Sequence, residues 1–432
     1  MKSAHGRTTP KEDVALTHVE AGSPMGELLR RYWQPVALSS DIAERPIAIR
    51  VLSEDLVLFR DEAGQPGLLG LYCPHRAVDL SYGRVENGGL RCLYHGWLFD
   101  RGGRCLEQPA EPDESRYKEE IRHTAYPCRE AAGAIFAYLG PGAPPLFPAF
   151  HFLSAPEAHV HQTKLYHRCN YLQANEGNID PAHLSYLHSF KKPLAEKGEQ
   201  SMKVQRAIIG DIRPKIEIER TRFGIRIYAQ RHAEPGKRLV RITNYVFPNL
   251  GFFAGEGGRS GPGGYSVHWH VPIDDFSHWR YDFVYHAHTP LDKAHLRAKV
   301  ATEIAPDYRP YRTAENRFKQ DRQEQKTLSF AGLGTYFPAH DLMAVQTPGA
   351  IHDRTREHLA TTDIAVVNAR RMMLNAMKAM EAGEDPPFLI RSANENVFND
   401  IVVMAIELEE AEDAQARCAE LIRTGDYHRL TV

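Results

Sequence analysis

Two short loops that each carry one cysteine and one histidine constrain this chain more than any other feature of its sequence. The first loop carries Cys73 and His75, the second Cys92 and His95, and the spacing is C-x-H-x₁₆-C-x₂-H. A structural zinc finger instead groups its two cysteines in one pair and its two histidines in another. Mixed pairs suit a two-iron cluster in which one iron takes both thiolates and the other takes both imidazoles. The pattern therefore predicts a [2Fe–2S] cluster, with a mixed zinc site or unligated side chains as the alternatives.

The run CPHRAVDLSYGRVENGGLRCLYHGWLFD (73–100) resembles the Rieske domain of bacterial ring-attacking oxygenases. Rieske proteins of respiratory complexes carry an additional cysteine in each loop, and the two are paired as a disulfide. This chain has Val78 and Tyr94 in its loops and no such pair, so it is similar to the oxygenase branch. Because two neutral imidazoles replace two anionic thiolates, the potential of such a cluster is raised. A ferredoxin or a flavoprotein can therefore reduce it.

The size and charge of the chain argue against several other classes of protein. With 432 residues, of which 42% are hydrophobic, the chain can bury a large core, and two domains are expected. The 53 basic and 55 acidic residues nearly cancel, so nothing indicates binding to nucleic acid or to an anionic membrane surface. No secretory signal is visible, and no apolar run approaches the ~18 residues of a membrane span. We therefore expect a cytoplasmic protein.

The distribution of turn residues predicts an α+β protein with two main domains. Residues 1–34 are predicted to form an N-terminal helical segment. Short β-rich runs follow over 35–145, which predicts an antiparallel β domain that holds the cluster at one end. Prolines and glycines crowd the stretch 139–150, which marks the domain boundary. Residues 146–432 are predicted to form the catalytic domain, an antiparallel sheet covered by helices.

Within this second domain the pattern alternates between helical and β-rich stretches. A helical segment is predicted around 170–190, and strands are predicted from about 203 to 290. Helical patterns return at 293–330, 361–382 and 402–424.

A second metal site is indicated by Asp180-x₂-His183-x₄-His188. Mononuclear non-haem iron oxygenases bind iron with two histidines and one carboxylate, and they leave other positions open for O₂ and substrate. An ideal helix would separate residues five positions apart by ~140° in projection. The chain must therefore unwind between His183 and His188 if both are to reach one metal. A Rieske cluster in the same chain favours this site, because the electrons of the cluster need an acceptor.

The same segment resembles the catalytic segment of the Rieske non-haem iron oxygenases, most closely the phthalate dioxygenase group. That resemblance implies that His183 and His188 are ligands of a mononuclear Fe(II). It also implies that Asp180 joins this site to the cluster of a neighbouring subunit, in a homotrimer whose subunits are arranged head to tail.

The third iron ligand is expected further along the chain. The stretch FPAHDLMAVQTPGAIHDRTREHLATTD (337–363) resembles the distal segment of the family, with Asp341 at the ligand position. Asp353 and Asp363 are rival carboxylates in the same stretch, and the alternative for Asp341 is a solvated acid at the start of a helix.

The two sites together imply a terminal oxygenase component that activates O₂ at the iron with electrons from the cluster. No nucleotide-binding motif is present, so the electrons must come from a separate NAD(P)H-dependent reductase, directly or through a ferredoxin. The resemblance implies an aromatic acid as substrate, oxidised by hydroxylation or by O-demethylation. No residue decides between a monooxygenase and a dioxygenase.

A carboxylate substrate needs cationic partners, and three arginines are candidates. Arg226 and Arg241 lie in predicted strands of the catalytic sheet, and Arg213 precedes another strand. The alternative for each is the solvent face of the sheet.

Two other functional classes remain as alternatives. A Rieske electron carrier without oxygenase chemistry would need only residues 1–150, and it would leave the second metal motif unexplained. A zinc-stabilised binding module would be colourless, whereas an iron–sulfur protein is coloured.

Overall fold

The computed structural model describes residues 8–42, 45–191, 198–254 and 263–425. The helices in these residues are α1 (Pro10–Thr17), α2 (Pro24–Arg30), α3 (Tyr117–Glu120), α4 (Tyr171–Ile179), α5 (Gly198–Gly210), α6 (Lys293–Ala301), α7 (Glu324–Thr327), α8 (Phe337–Gln346), α9 (Ile364–Glu381) and α10 (Ala414–Thr424). The strands before the catalytic sheet are β1 (Gln34–Leu38), β2 (Ile47–Val51), β3 (Glu54–Arg60), β4 (Pro66–Gly70), β5 (Arg84–Glu86), β6 (Gly89–Arg91), β7 (Leu98–Asp100), β8 (Cys105–Glu107), β9 (Ala125–Tyr126), β10 (Cys128–Ala131) and β11 (Ala134–Ala137). The strands of the catalytic sheet are β12 (Val160–His167), β13 (Lys215–Arg220), β14 (Gly224–Glu234), β15 (Lys237–Val246), β16 (Leu250–Phe253), β17 (Gly264–Asp274), β18 (Ser277–His286) and β19 (Met404–Glu409).

The two N-terminal helices pack on the second domain, and α2 also contacts the cluster-bearing part, where Arg30 pairs with Glu54 at 3.2 Å. Ser23 caps α2 by accepting a hydrogen bond from the backbone N of Gly26 at 3.2 Å, and Pro24 occupies the first turn. Leu28 and Leu29 are fully buried, and the two helices contact α4 and α9. The boundaries predicted at 1–34, 35–145 and 146–432 stay predictions.

The cluster-bearing part contains two four-stranded antiparallel sheets, in the orders β2-β3-β4-β9 and β5-β6-β7-β8. The two cluster loops leave the ends of β4 and β6. Side chains from these sheets form a separate core, which includes Val57, Phe59, Leu90 and Phe99. A third sheet, β1-β11-β10, shares its core with the second domain.

The catalytic sheet has the order β12-β18-β17-β16-β15-β14-β13, with β19 paired to β15, and all pairs are antiparallel. Because successive side chains of a strand point to opposite faces, the two faces of this sheet differ. The face covered by α4 carries the polar side chains His268, His270, Arg280 and Asp282. The opposite face carries the apolar side chains Trp269, Val271, Tyr281 and Phe283. The predicted α+β architecture is confirmed.

Three segments differ from the sequence-based expectation. The predicted helix 402–424 is wrong in its first part, because residues 404–409 form β19, with Ile406 opposite Val240. The predicted strands begin later than residue 203, because α5 runs to Gly210. The stretch 293–330 forms the short helices α6 and α7 and a 3₁₀ turn at Arg317–Lys319, with irregular chain between them. None of the helices in the described part of the chain is long and apolar enough to cross a membrane.

Candidate metal centres and active site

The two cluster loops have the same backbone geometry. Ala77 N donates to Cys73 O at 2.8 Å, and Gly96 N donates to Cys92 O at 3.1 Å. Each donor lies four residues after its cysteine, and both have positive φ, 57° for Ala77 and 75° for Gly96. Each loop is thus a tight turn that presents a cysteine at its start and a histidine inside it.

The side chains of these loops form a donor set that fits a two-iron cluster. Cys73 and Cys92 are 3% exposed, and the rings of His75 and His95 have centroids 4.4 Å apart nearer the surface. Burial, with a smaller contribution from Cys92, raises the pKa of Cys73 to about 12. The thiolate form therefore needs a bound cation, as a metal ligand does. Trp97 stacks on His75 at 4.5 Å and holds that ring at the outer end of the site.

A second group of donors lies in the catalytic domain. One ligand atom from each of His183, His188 and Asp341 lies within 4.8 Å of the other two. Asp341 Oδ1 is 3.0 Å from His188 Nε2 and 4.0 Å from His183 Nε2. Two imidazoles and a carboxylate at this spacing are the donor set that non-haem iron takes. The structure thus brings these three predicted residues together.

The chain unwinds between the two histidines, as the spacing predicts. Helix α4 ends at Ile179, and a short 3₁₀ turn follows at residues 183–185. Arg231 Nη2 holds this turn by donating to Pro181 O at 3.0 Å and to Ser185 Oγ at 3.2 Å.

Asp180 orients the first histidine. Its Oδ2 lies 3.5 Å from His183 Nδ1, which leaves His183 Nε2 directed towards Asp341. Burial alone would lower the pKa of His183, but the hydrogen bond and the charge of Asp180 outweigh it, and the pKa is raised. A carboxylate behind a ligand imidazole fixes its tautomer and its orientation.

The rival carboxylates are engaged elsewhere. Asp353 Oδ1 accepts from Thr355 N at 3.1 Å, and Asp363 Oδ2 accepts from Ala360 N at 2.6 Å. Each caps a short 3₁₀ turn, and the structure does not bring either to the two histidines.

His340 is a residue that the sequence reasoning missed. It is fully buried, and its Nδ1 lies 2.9 Å from Leu187 O and 3.3 Å from His188 Nδ1. The ring therefore supports the back of His188, away from Asp341. Its place next to Asp341 in the sequence was the available signal.

A chain of hydrogen bonds also ties α4 to the sheet. His278 Nδ1 donates to Cys169 O at 2.8 Å, so its Nε2 must accept from His270 Nδ1 at 3.1 Å. His270 Nε2 then accepts from the amide of Asn178, and Asn178 Oδ1 accepts from His268 Nδ1 at 3.0 Å. Burial lowers the pKa of each of these histidines, so the three rings stay neutral. The carbonyl of Cys169 therefore fixes the tautomer of all three rings through this chain of hydrogen bonds. Polar and apolar residues alternate over 266–270 and 278–282, and this alternation was the sequence signal for the polar face of the sheet.

The three predicted substrate arginines lie in different places. Arg226 faces away from the iron ligands, where it donates to Glu219 Oε2 at 2.7 Å and to Asp400 O at 2.6 Å. Arg213 is exposed. Arg241 lies on the other face, close enough to the first histidine ligand for its charge to oppose protonation of that ring. In the β14–β15 register Arg226 and Arg241 point to opposite faces of the sheet, because side chains alternate along each strand. Of the three arginines, the structure brings only Arg241 close to the iron ligands.

A cavity of about 210 Å³ adjoins two of the three donors, His183 and Asp341. Its lining includes His167, Asn178, His183, His270, Arg280 and Asp341. A larger cavity, of about 810 Å³, lies apart from both metal centres and is lined by residues such as Trp33, Phe247 and Phe398. The smaller cavity is therefore the one placed for chemistry.

Comparison with known proteins agrees with these two centres. Residues 32–124 match the Rieske [2Fe-2S] domain family, and residues 137–407 match the family described as LigXa C-terminal domain like. The chain is 39% identical to the phthalate 4,5-dioxygenase oxygenase subunit of Pseudomonas putida, over 87% of this chain and 88% of that protein. It is 34% identical to the phenoxybenzoate dioxygenase subunit alpha of Ectopseudomonas oleovorans, over 89% of each.

Among solved structures, dicamba monooxygenase bound to dicamba shares the fold, with a TM-score of 0.58 and 19% identity. That similarity covers 82% of this chain and 99% of the other. The chain belongs to the Rieske non-haem iron oxygenases, in the phthalate dioxygenase-like group, as a terminal oxygenase component with a [2Fe–2S] cluster and a mononuclear iron.

Proposed function

We propose that this chain oxidises an aromatic acid in its catalytic domain. The proposed iron ligands are His183, His188 and Asp341, and the proposed cluster ligands are Cys73, His75, Cys92 and His95. When bound, the iron supplies activation of O₂ and the cluster supplies the electrons. The protein orients the ligands and binds the acid beside them.

The environment of Arg241 carries the proposal for an acid substrate. Burial, and then repulsion from Arg231, lowers the pKa of Arg241 to about 10. Within the described residues Arg241 forms no ion pair with a carboxylate. A half-buried guanidinium without an anion is costly, and a substrate carboxylate would supply a charge-assisted, two-pronged partner.

The names of several relatives favour the same substrate class. The two relatives named above act on phthalate and phenoxybenzoate, and a third, 32% identical, is the 3-chlorobenzoate-3,4-dioxygenase oxygenase subunit of Comamonas testosteroni. A fourth, 30% identical, is a 5,5'-dehydrodivanillate O-demethylase oxygenase subunit. Both ring hydroxylation and O-demethylation are therefore tested below.

We further propose that the electrons reach the cluster from an NAD(P)H-dependent reductase, directly or through a ferredoxin, in the cytoplasm. An oxygenase of carbazole 1,9a-dioxygenase with a similar fold has been solved in complex with its ferredoxin, at a TM-score of 0.53. The exposed His75 ring is a suitable point of entry and exit for electrons.

Two exposed aromatic patches support a homotrimer arranged head to tail. Near the cluster, Tyr72, Leu93 and Tyr94 are 51–56% exposed. Near the iron ligands, Tyr186 and Phe330 are 51% and 58% exposed, with ring centroids 5.4 Å apart. Apolar side chains that are exposed next to one another can mark an interface. A heterologous contact between the two patches would close into a ring if the rotation per subunit fits.

Asp180 lies at the iron end of such a contact. Its side chain is 27% exposed, and it already bonds to His183. Its Oδ1 accepts from Ala182 N at 2.7 Å. We propose that the exposed part of this carboxylate meets a cluster histidine of the next subunit and carries the electron path across the interface.

Turnover on a panel of acids tests the function. The panel contains phthalate, 3-phenoxybenzoate, 3-chlorobenzoate and a methoxylated benzoate, each compared with its methyl ester, with a generic NADH-dependent reductase supplying electrons. We expect one or more acids to give hydroxylated product or formaldehyde, and the esters to react far more slowly. Equal turnover of acids and esters, or no substrate-dependent consumption of O₂, would contradict the proposal.

A further inference from the structure

Arg231 is a buried arginine whose hydrogen bonds go to neutral oxygens. It lies on β14, is 2% exposed, and its Nη2 donates to Pro181 O and Ser185 Oγ. Both acceptors belong to the segment Asp180–Ser185, named here the ligand turn, which carries His183. Arg231 Nε is buried without a hydrogen-bond partner in the part of the chain that the structure describes. A fully charged side chain is thus used to hold two neutral oxygens.

Arg231 and Arg241 form a pair of like charges on one face of the sheet. The register places Arg231 opposite Leu239 and Arg241 opposite Ala229, so the two arginines are diagonal neighbours. Diagonal neighbours across antiparallel strands lie about 7–8 Å apart, within reach of long side chains. The nearest carboxylates to Arg231, Asp180 and Asp211, act on it only through space and form no ion pair with it. These two carboxylates offset part of the charge of Arg231, whereas Arg241 has no ion pair with a carboxylate in the described residues, so repulsion from Arg231 adds to burial in lowering its pKa.

We propose that Arg231 is a positioning residue that couples the acid group of the substrate to the ligand turn. The carboxylate bound at Arg241 offsets the repulsion between the two arginines, and Arg231 then holds Pro181 and Ser185 firmly. Without an acid, the repulsion loosens that hold and the ligand turn opens more often. This inference rests on the proposed function, because it needs an acid substrate at Arg241.

Four variants separate the effect of charge from that of geometry. Arg231→Met removes the charge and both hydrogen bonds, and Arg231→Lys keeps the charge but lacks the planar fork. Arg226→Met is the matched control, because Arg226 is 4% exposed on the same strand but lies on the opposite face. Arg241→Met removes the proposed anchor itself.

The measurement is amide hydrogen exchange over residues 180–187 of the holoprotein, with cluster and iron content determined for each variant. The probes are the acid of the panel above that binds most tightly by calorimetry, and its methyl ester. In the wild type we expect the acid to slow exchange by at least about fivefold, the lower end of usual coupling between sites, and the ester to have no effect. Arg226→Met should behave like the wild type. Arg231→Met should keep acid binding within about fivefold, because Arg241 remains, yet lose the protection.

Several results would overturn this inference. If the acid protects Arg231→Met and the wild type equally, or if acid and ester protect equally, the acid group is not coupled to the ligand turn through Arg231. If Arg231→Met loses acid binding as strongly as Arg241→Met, Arg231 is a second anchor and the positioning role is wrong. If Arg231→Met fails to retain its metals, Arg231→Lys replaces it, with the same expected loss of protection. If no acid binds the wild type, the proposed function fails first, and that result differs from binding without protection.

Discussion

The two metal centres of this protein depend on the chain in different ways. The four cluster donors lie within one stretch, 73–95, and two backbone turns of like geometry place them. The iron donors run from His183 to Asp341, and they meet only because α4 and α8 pack together next to the catalytic sheet. The side chains around the cluster loops form a core of their own, although the other face of β3 and β4 shares the core of the catalytic sheet. The cluster site is therefore a local structure, whereas the iron site depends on the whole domain.

The largest effect should follow from removing a cluster thiolate. Cys92→Ala should abolish the Rieske-type EPR signal and the visible colour, and turnover should fall below detection. The catalytic domain should stay folded and keep its single iron, because its core does not include the cluster loops. Visible absorption, EPR and iron analysis check this. A colourless wild type that contains zinc would contradict the assignment of the cluster.

Removal of the carboxylate ligand should be equally damaging to turnover but should spare the cluster. Asp341→Ala should lose one iron per chain, because two imidazoles alone leave the metal without its anionic ligand. Asp353→Ala is the control, since Asp353 only caps a turn through Thr355, and it should keep iron and turnover. Retention of full iron and activity in Asp341→Ala would place the third ligand elsewhere.

Loss of an arginine should change the KM for the acid when the arginine lies on the iron-facing side of the sheet, and should not change it on the opposite side. Arg241→Met should raise KM for the acid by about 10- to 100-fold, because a hydrogen bond to a charged group contributes ~1.5–3 kcal/mol. Arg241→Lys should have a smaller effect in the same direction. Arg226→Met should leave KM unchanged, because Arg226 bonds to Glu219 on the opposite face. Steady-state kinetics with the acid of lowest KM checks this, and a KM increase in Arg226→Met would contradict the placement.

A buried ion network behind the iron helix should govern acid stability. Glu176 bonds to Arg354 and Arg370, and both arginines are at most 3% exposed. Burial raises the pKa of Glu176, but the two arginines outweigh it and hold the pKa below its usual value of 4.5. A depressed carboxylate pKa gives stability that is present above pH 4.5 and is lost as the pH falls through the folded-state pKa.

Glu176→Gln should therefore lower the free energy of unfolding by about 3–5 kcal/mol at neutral pH, the usual result of leaving a buried charge unpaired. The difference from wild type should shrink below pH 4.5. Glu130→Gln is the control, because its ion pair with Arg60 is exposed and should contribute only about 0–1 kcal/mol. Urea unfolding across pH checks both variants, and a pH-independent difference would contradict the ionic role of Glu176.

The same contrast between local and long-range structure explains what the sequence could predict. The cluster loops were predictable because their ligands and their turns lie in one short stretch. The unwinding between His183 and His188 was also predictable, because helix geometry alone requires it if both bind one metal. Asp341 could be chosen over its rivals only through resemblance, since nothing local distinguishes three aspartates in one stretch.

What the sequence could not predict is which face of the sheet a side chain occupies and which strands pair, because both are properties of the assembled sheet. Arg226 and Arg241 were equivalent as strand residues, and only the β14–β15 register shows that they face opposite ways. The segment that forms β19 is a short apolar run, and such a run can be a helix or a strand. Its pairing with β15 makes it a strand. The histidines His268 and His270 alternate with apolar residues, and this pattern already indicated one polar face.

The central claim is that the cluster of one subunit supplies the iron of the next through Asp180, and Asp180→Asn tests it most directly. This change keeps the size of the side chain but removes its charge, so both metals and acid binding should be retained. The cluster is reduced, O₂ and the acid are added, and cluster reoxidation is followed in a single turnover. We predict reoxidation slower than wild type by orders of magnitude. Reoxidation at the wild-type rate, or normal turnover by a strictly monomeric protein, would contradict the account.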